Sequence, residues 1–208
     1  MRRLLGFALV AVGLACLGYV GWEMHGTTWI SQHRAERAVA DLEKEWADGA
    51  VSGDPSAGEP FAVVRIPRFG AEYAVPLVEG TSDEALSTGF GHMEDTAAPG
   101  KPGNVVLAGH RVTRGEPLRG MPELVPGDEV VIEHADRVDT YVLDTGGADL
   151  VVPLTDTWVT APRPVAPASV SVEPASHRRL LTLVTCAELF HTDDRLVAFG
   201  HLVSSTSH

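Results

Sequence analysis

Short apolar runs of strand length, separated by turn residues, dominate the chain between residues 61 and 203. Helical periodicity is scarce in this part and is restricted to residues 82–86 and 121–124. Many short strands with Gly and Pro between them are typical of a β-sandwich or a β-barrel. The sequence therefore predicts an all-β domain with one or two short helices. The predicted strands are residues 61–66, 73–78, 104–108, 129–134, 140–144, 180–186 and 195–203.

Length and charge limit the classes of function. The chain has 208 residues, of which 44% are hydrophobic, enough to bury the core of one domain with appendages. Its formal net charge is −12, and Lys and Arg form no cluster. Because phosphate binding needs clustered basic residues, nucleic acid is not an expected partner.

The N-terminal stretch has the length and composition of a membrane anchor. Residues 4–22 carry no charge, and at 1.5 Å per residue a helix of this length just crosses a hydrocarbon core of about 30 Å. Arg2 and Arg3 precede the stretch and Glu23 follows it, so the N-terminus is expected in the cytoplasm and the rest of the chain outside. Two alternatives stay open, a cleaved signal peptide and a lipoprotein signal with Cys16 as the lipidated residue.

A second helix is predicted after this stretch. Apolar residues recur there at spacings of three and four among charged ones, which is typical of an amphipathic helix. They are Trp29, Ile30, Ala35, Ala38, Val39, Leu42 and Trp46. We predict a stalk, with a helix packed on the domain as the alternative. A turn-rich linker follows at residues 51–60, so the predicted parts are an anchor (1–22), a stalk and linker (23–58) and a folded domain (59–208).

Polar side chains follow two of the predicted strands. The apolar run 105–108 ends in Gly109 and His110, and the run 180–184 ends in Thr185 and Cys186. If these strands are parallel neighbours, His110 and Cys186 emerge at the same end of the sheet. Residues 187–194 are long enough to close a hairpin that brings Arg195 opposite Cys186, with facing side chains about 5 Å apart. A thiol, an imidazole and a guanidinium in one pocket would make a reaction centre.

Metal and disulfide chemistry are not expected. The nine histidines show no recognisable ligand spacing, and the sequence indicates no cofactor. The only other cysteine, Cys16, lies in the apolar N-terminal stretch, so a structural disulfide with Cys186 is not predicted.

Three segments resemble the signatures of sortases, the cysteine transpeptidases of Gram-positive cell surfaces. Residues 182–186 are similar to the TLxTC motif, residues 99–111 to the PGxxGNxxxAGHR segment, and Arg195 stands at the position of the active-site arginine. The Leu-Ala-Gly-His-Arg sequence within the second segment and residues 156–159 are most similar to those of class E sortases. The resemblance covers about residues 61–203 and implies a closed sortase-type β-barrel of about eight strands.

The resemblance also implies an activity and a set of residue roles. Cys186 would be the nucleophile, His110 the proton donor to the leaving amine, and Arg195 the group that stabilises the oxyanion. Thr185 is a candidate for substrate binding, with plain strand packing as the alternative. His92 is the one other candidate for the catalytic base besides His110. The glycine-containing residues before it predict that it lies in a loop.

Substrates and partners also follow from the family. The expected substrates are secreted proteins with C-terminal sorting signals, cleaved between Thr and Gly, and the amine of a peptidoglycan precursor is the expected acceptor. A thiol hydrolase with the same three residues and a non-catalytic anchored β-domain are the alternatives.

Overall fold

The computed structural model describes residues 2–21, 27–49, 55–172, 174, 176–187 and 193–207. Helix α1 spans Arg2–Gly21, α2 spans Thr27–Ala47 and α3 spans Asp83–Thr88. Single 3₁₀ turns lie at Pro67–Phe69, Met121–Glu123 and Thr157–Thr160. Within the described ranges, no helix combines the length and the apolar character that crossing a membrane requires.

Within the residues that the structure describes, nine strands form a single sheet. All seven predicted strands are present, with ends that differ by a few residues. The strands are β1 (Pro60–Arg65), β2 (Val75–Glu79), β3 (Phe90–His92), β4 (Gly103–Ala108), β5 (Glu129–Glu133), β6 (Arg137–Leu143), β7 (Leu150–Pro153), β8 (Arg179–Cys186) and β9 (Asp194–Ser207).

The sheet closes into the predicted eight-stranded barrel. Its strand order is β6-β5-β1-β2-β3-β4-β8-β9, and a further pairing of β6 with β9 joins the two ends. Strand β9 is long enough to pair with three strands. It pairs with β8 along one edge, and with β7 and then β6 along the other. Strand β7 is therefore an addition outside the closed ring.

Strand β3 corrects the sequence-based expectation of a loop at His92. This residue is the last of β3, which pairs in parallel with β2 and antiparallel with β4. The strand has three residues, and one of them is Gly91, so it carries no alternating pattern that the sequence could reveal. Its two neighbours impose the extended conformation, which is a tertiary effect.

Helix α2 lies against the barrel and does not stand apart from it as a stalk. Val39 and Leu42 are buried in a cluster with Val63 of β1, and Trp46 packs against the same cluster. Arg65 of β1 also forms an ion pair with Glu43 at 3.0 Å. The C-terminal half of this stripe thus covers the barrel wall, as the alternative interpretation expected, whereas Trp29 and Ile30 are exposed. The linker predicted after it lies partly outside the described residues.

The barrel interior holds the main hydrophobic core, and strand alternation decides which residues enter it. Val105 and Leu107 of β4 and Leu181 and Leu183 of β8 belong to this core. Residues between them in sequence therefore face outwards, because successive side chains of a strand point to opposite faces. Asn104 of β4 and Thr182 of β8 lie on this outer face.

The turn before β4 explains two glycines of the motif segment. Gly100 has φ +75°, and a Cβ there would lie 2.7 Å from a carboxylate oxygen of Asp139. Its backbone N–H donates to the Tyr141 hydroxyl at 2.7 Å. Gly103 has φ +120°, which also favours glycine. The turn therefore delivers β4 into the sheet at a fixed position.

Candidate active site

Strands β4 and β8 are parallel neighbours, as the sequence predicted. Ala108 is paired with Val184 at the end of the ladder, and the Gly109 N–H donates to the Val184 carbonyl at 3.2 Å. His110 and Cys186 each lie two residues beyond that last pair. The register therefore places the backbones of His110 and Cys186 level with each other at one edge of the sheet.

Strand β9 brings Arg195 to the other side of the thiol. Cys186 and Arg195 are direct partners in the antiparallel ladder of β8 and β9. Side chains at such positions share one face of the sheet, with their Cβ atoms about 5 Å apart. The turn between the two strands lies partly outside the described residues, but the Ala187 N–H still donates to the Asp194 carbonyl at 3.0 Å.

An apolar layer covers the outer face of the sheet beside these residues. Val184 and Val197 contribute to it from the barrel, while Val152 of β7 and Val159 lie over them. Cys186 and Arg195 follow at the edge of this layer, where the strand ends are partly exposed. The thiol thus lies at the mouth of an apolar surface and is not sealed in the barrel core.

A buried polar contact fixes this cover to the barrel. The Thr182 hydroxyl donates to the Asn104 side-chain oxygen at 2.8 Å, and the Asn104 amide donates to the carbonyls of Val159 and Ala161 at 3.2 and 3.1 Å. Both side chains are fully buried. Asn104 and Thr182 therefore anchor residues 159–161 to the outer face of β4 and β8.

The electrostatic surroundings of His110 favour its neutral form. Burial lowers the pKa of the imidazole, the positive charge of Arg114 lowers it further, and Asp83 opposes the shift. The Nε2 atom is buried and has no hydrogen-bond partner among the residues that the structure describes. The lowered pKa therefore favours the neutral ring, and within the described part of the chain its Nε2 is left for another group to bind.

His92 has a different environment. Its Nδ1 lies 2.8 Å from Glu79 Oε2, and its Nε2 lies 3.0 Å from the Ala97 carbonyl oxygen. The side chain is 5% exposed. Because both ring nitrogens are engaged with acceptors in the barrel wall, His92 has the contacts of a structural residue.

Thr185 and Arg111 both tie the two strand ends together. The buried Thr185 hydroxyl donates to the Gly109 carbonyl at 2.7 Å, so its proton is used within the protein. The substrate-binding role of Thr185 stays a prediction, which now concerns its backbone. Arg111 donates from Nε to the Cys186 carbonyl at 2.7 Å and from Nη2 to the Ala187 carbonyl at 2.6 Å. Sequence reasoning did not single out Arg111, although it ends the AGHR motif.

The two charges near His110 make a testable pair. In Arg114→Gln we expect the pKa of His110 to rise, because a cation that disfavours the imidazolium is lost. In Asp83→Asn we expect it to fall. Titration of the His110 ring protons by NMR measures both shifts, with His110→Asn to assign the signal.

Salt supplies a control for this titration. The Arg114 and Asp83 side chains are 41% and 88% exposed, so both shifts should shrink as ionic strength rises. Shifts of equal sign in the two variants would contradict the electrostatic explanation.

Comparison with known proteins identifies the family. The model of the sortase domain matches residues 64–203. Sortase SrtE1 of Streptomyces coelicolor is 32% identical in an alignment of 217 residues, gaps included, which covers 97% of this chain and 57% of the relative. The chain thus spans little more than half the length of that relative.

Solved structures agree with this assignment. Sortase E of Streptomyces avermitilis is 39% identical, with a TM-score of 0.63 over 73% of this chain and 93% of that one. Sortase E1 of S. coelicolor with a tripeptide in the active site is 29% identical, with a TM-score of 0.60 over 74% and 93%. Both support the predicted similarity to class E. On its sequence and its barrel, the chain belongs to the sortase family.

Proposed function

We propose that the chain is a cysteine transpeptidase that cleaves a C-terminal sorting signal of the LPxTG or LAxTG type between Thr and Gly. The observation that carries the proposal is the register at the strand ends, where Cys186 is paired with Arg195 and lies level with His110. A nucleophile, a proton carrier and a fixed cation are what acyl transfer needs. The tripeptide in the active site of the S. coelicolor relative supports a peptide substrate.

In the first half-reaction, the Cys186 thiol passes its proton to neutral His110, and the thiolate attacks the Thr carbonyl carbon. The carbonyl π electrons move onto oxygen, which becomes an oxyanion. Collapse of this intermediate breaks the Thr–Gly bond, and the His110 imidazolium gives its proton to the departing glycine amine. A thioester on Cys186 remains, and His110 is neutral again.

In the second half-reaction, an incoming amine attacks the thioester carbonyl. The amine loses a proton to His110, the C–S bond breaks, and the sulfur leaves as a thiolate that regains this proton. The product is a new amide, and the enzyme returns to its starting state. We propose a peptidoglycan precursor as the amine donor and secreted proteins with sorting signals as acyl donors, both from family membership.

Arg195 has the role of charge stabilisation in both steps. Its guanidinium can donate two parallel hydrogen bonds to the substrate carbonyl or the neighbouring backbone. Its position directly across from Cys186 supports this role, because the oxyanion forms on the carbon that the sulfur attacks.

The decisive experiment incubates the full chain in detergent with labelled LPxTG and LAxTG peptides, with and without triglycine as the amine. We expect a new peptide that ends in Thr-Gly-Gly-Gly when triglycine is present, and a thioacyl adduct on Cys186 by mass spectrometry. If only hydrolysed peptide forms, with and without triglycine, the chain is a thiol hydrolase and the proposal is wrong. Intact peptide and an unmodified Cys186 would leave only a non-catalytic β-domain.

We also propose that residues 4–22 attach the chain to a membrane, with the N-terminus in the cytoplasm and the barrel outside. The uncharged stretch and the arginines before it support this placement. Cell fractionation with protease accessibility tests it, and a chain found in the soluble fraction with its N-terminus intact would contradict it.

A further inference from the structure

Arg111 joins the ends of β4 and β8 through its side chain. Nε donates to the Cys186 carbonyl at 2.7 Å, and Nη2 donates to the Ala187 carbonyl at 2.6 Å. The two carbonyls belong to consecutive residues, so one planar guanidinium holds both. Charge-assisted hydrogen bonds of this kind are about twice as strong as neutral ones.

This contact begins where the backbone pairing of the two strands stops. The Gly109 N–H donates to the Val184 carbonyl. Alternate carbonyls of β8 face the same neighbour, so the next acceptor on that edge is the carbonyl of Cys186. The Arg111 side chain donates to it in place of a further backbone N–H. The ladder is thus extended by a side chain to the nucleophile itself.

A second tie lies on the other side of His110. The buried Thr185 hydroxyl donates to the Gly109 carbonyl at 2.7 Å. Gly109 and Arg111, the two chain neighbours of His110, are therefore each bonded to the segment that contains Cys186. These hydrogen bonds lie on both sides of His110 and hold its backbone against the backbone of the segment that contains Cys186.

We propose that Arg111 is a positioning residue for acyl transfer, which holds the Cys186 backbone at a fixed distance from the His110 backbone. The proposal rests on the proposed function, since it concerns the proton that passes between these two side chains. Small displacements matter for such a step, because a misplacement of about 1 Å can cost about 100-fold in rate. Arg111 acts through Cys186 and need not contact the peptide.

Replacement of Arg111 by lysine removes the planar pair of donors and keeps the positive charge. An ammonium on a flexible stem donates to one carbonyl at a time and does not reproduce a planar pair of donors. In Arg111→Lys we therefore expect kcat to fall on the order of 10- to 100-fold. We expect KM for the peptide to stay nearly unchanged, because the peptide contacts remain.

The experiment uses the full chain with Cys16→Ser, which leaves Cys186 as the single thiol. Wild-type Arg111, Arg111→Lys and Arg111→Ala are compared in the peptide assay, with Arg178→Lys as the matched control on the exposed surface before β8. Guanidinium chloride is added to Arg111→Ala at a concentration that does not denature the protein, against equal sodium chloride. The Tm of each variant is measured in parallel.

A selective loss of kcat in Arg111→Lys, with partial recovery of Arg111→Ala by guanidinium, supports the positioning role. Wild-type kcat in Arg111→Lys, or an equal loss in Arg178→Lys, overturns it. If the wild type transfers no peptide, the proposed function fails by itself. The rate at which iodoacetamide alkylates Cys186 then decides the role of Arg111: several-fold slower alkylation in Arg111→Lys supports it, and an equal rate overturns it.

Discussion

Transfer of a sorting-signal peptide is expected to disappear when Cys186 is replaced by alanine. Among the described residues of these strand ends, the other hydroxyl or thiol candidate is Thr185, and its hydroxyl is buried and already donates to the Gly109 carbonyl. Loss of the nucleophile in a covalent mechanism lowers kcat by more than about 1,000-fold. Product formation measured by chromatography checks this expectation, and the thioacyl adduct should vanish with it.

Two further substitutions sharpen this test. Cys186→Ser keeps the shape of the side chain, yet we expect it to fail similarly, since a hydroxyl is far harder to deprotonate than a thiol. Cys16→Ser should keep full activity, because Cys16 is exposed on α1 and distant in sequence from the barrel. If Cys16→Ser lost activity while Cys186→Ala kept it, the assignment of the nucleophile would be wrong.

Replacement of Arg195 by lysine is expected to fail almost as completely as replacement by alanine. Arg195 is the direct ladder partner of Cys186, and the proposed mechanism assigns its guanidinium to the oxyanion. Lysine keeps the charge but presents a single ammonium without the parallel pair of donors. Loss of such stabilisation costs on the order of 100- to 1,000-fold in kcat, which steady-state kinetics of the three proteins would measure.

The control for this series is Arg179→Lys, at the other end of the same hairpin. Arg179 is the first residue of β8 and is exposed, so its replacement should leave kcat and KM unchanged. If Arg195→Lys keeps most of the wild-type activity, the two parallel donors are not needed. Arg195 would then contribute its positive charge alone.

The strand ends were predictable because each local signal agreed with the tertiary structure. Continuous apolar runs are typical of buried parallel strands, and the polar residues that follow such strands emerge at one edge of the sheet. His110 and Cys186 were therefore expected together from the sequence, and the register of β4 and β8 confirms that placement. Their chemical roles stay predictions until the variants are measured.

Other features depend on contacts that no local pattern encodes. The three residues of β3 are extended because β2 and β4 lie beside them, so His92 was wrongly expected in a loop. The stripe on α2 predicted a buried face but not which surface would bury it. The hydrogen bonds of Arg111 join residues 75 and 76 positions apart, a distance that the motif alone does not bridge.

Strand β9 completes both the barrel and the proposed site. It carries Arg195 near its start and pairs with β6 through residues 200–207, which closes the ring. Pairings between residues so remote in sequence form late, because the entropy of closing long loops opposes them. A polypeptide that is still emerging from the ribosome and is complete only to residue 193 would contain Cys186 but not Arg195. Unfinished molecules that end before Arg195 would therefore lack a complete reaction centre.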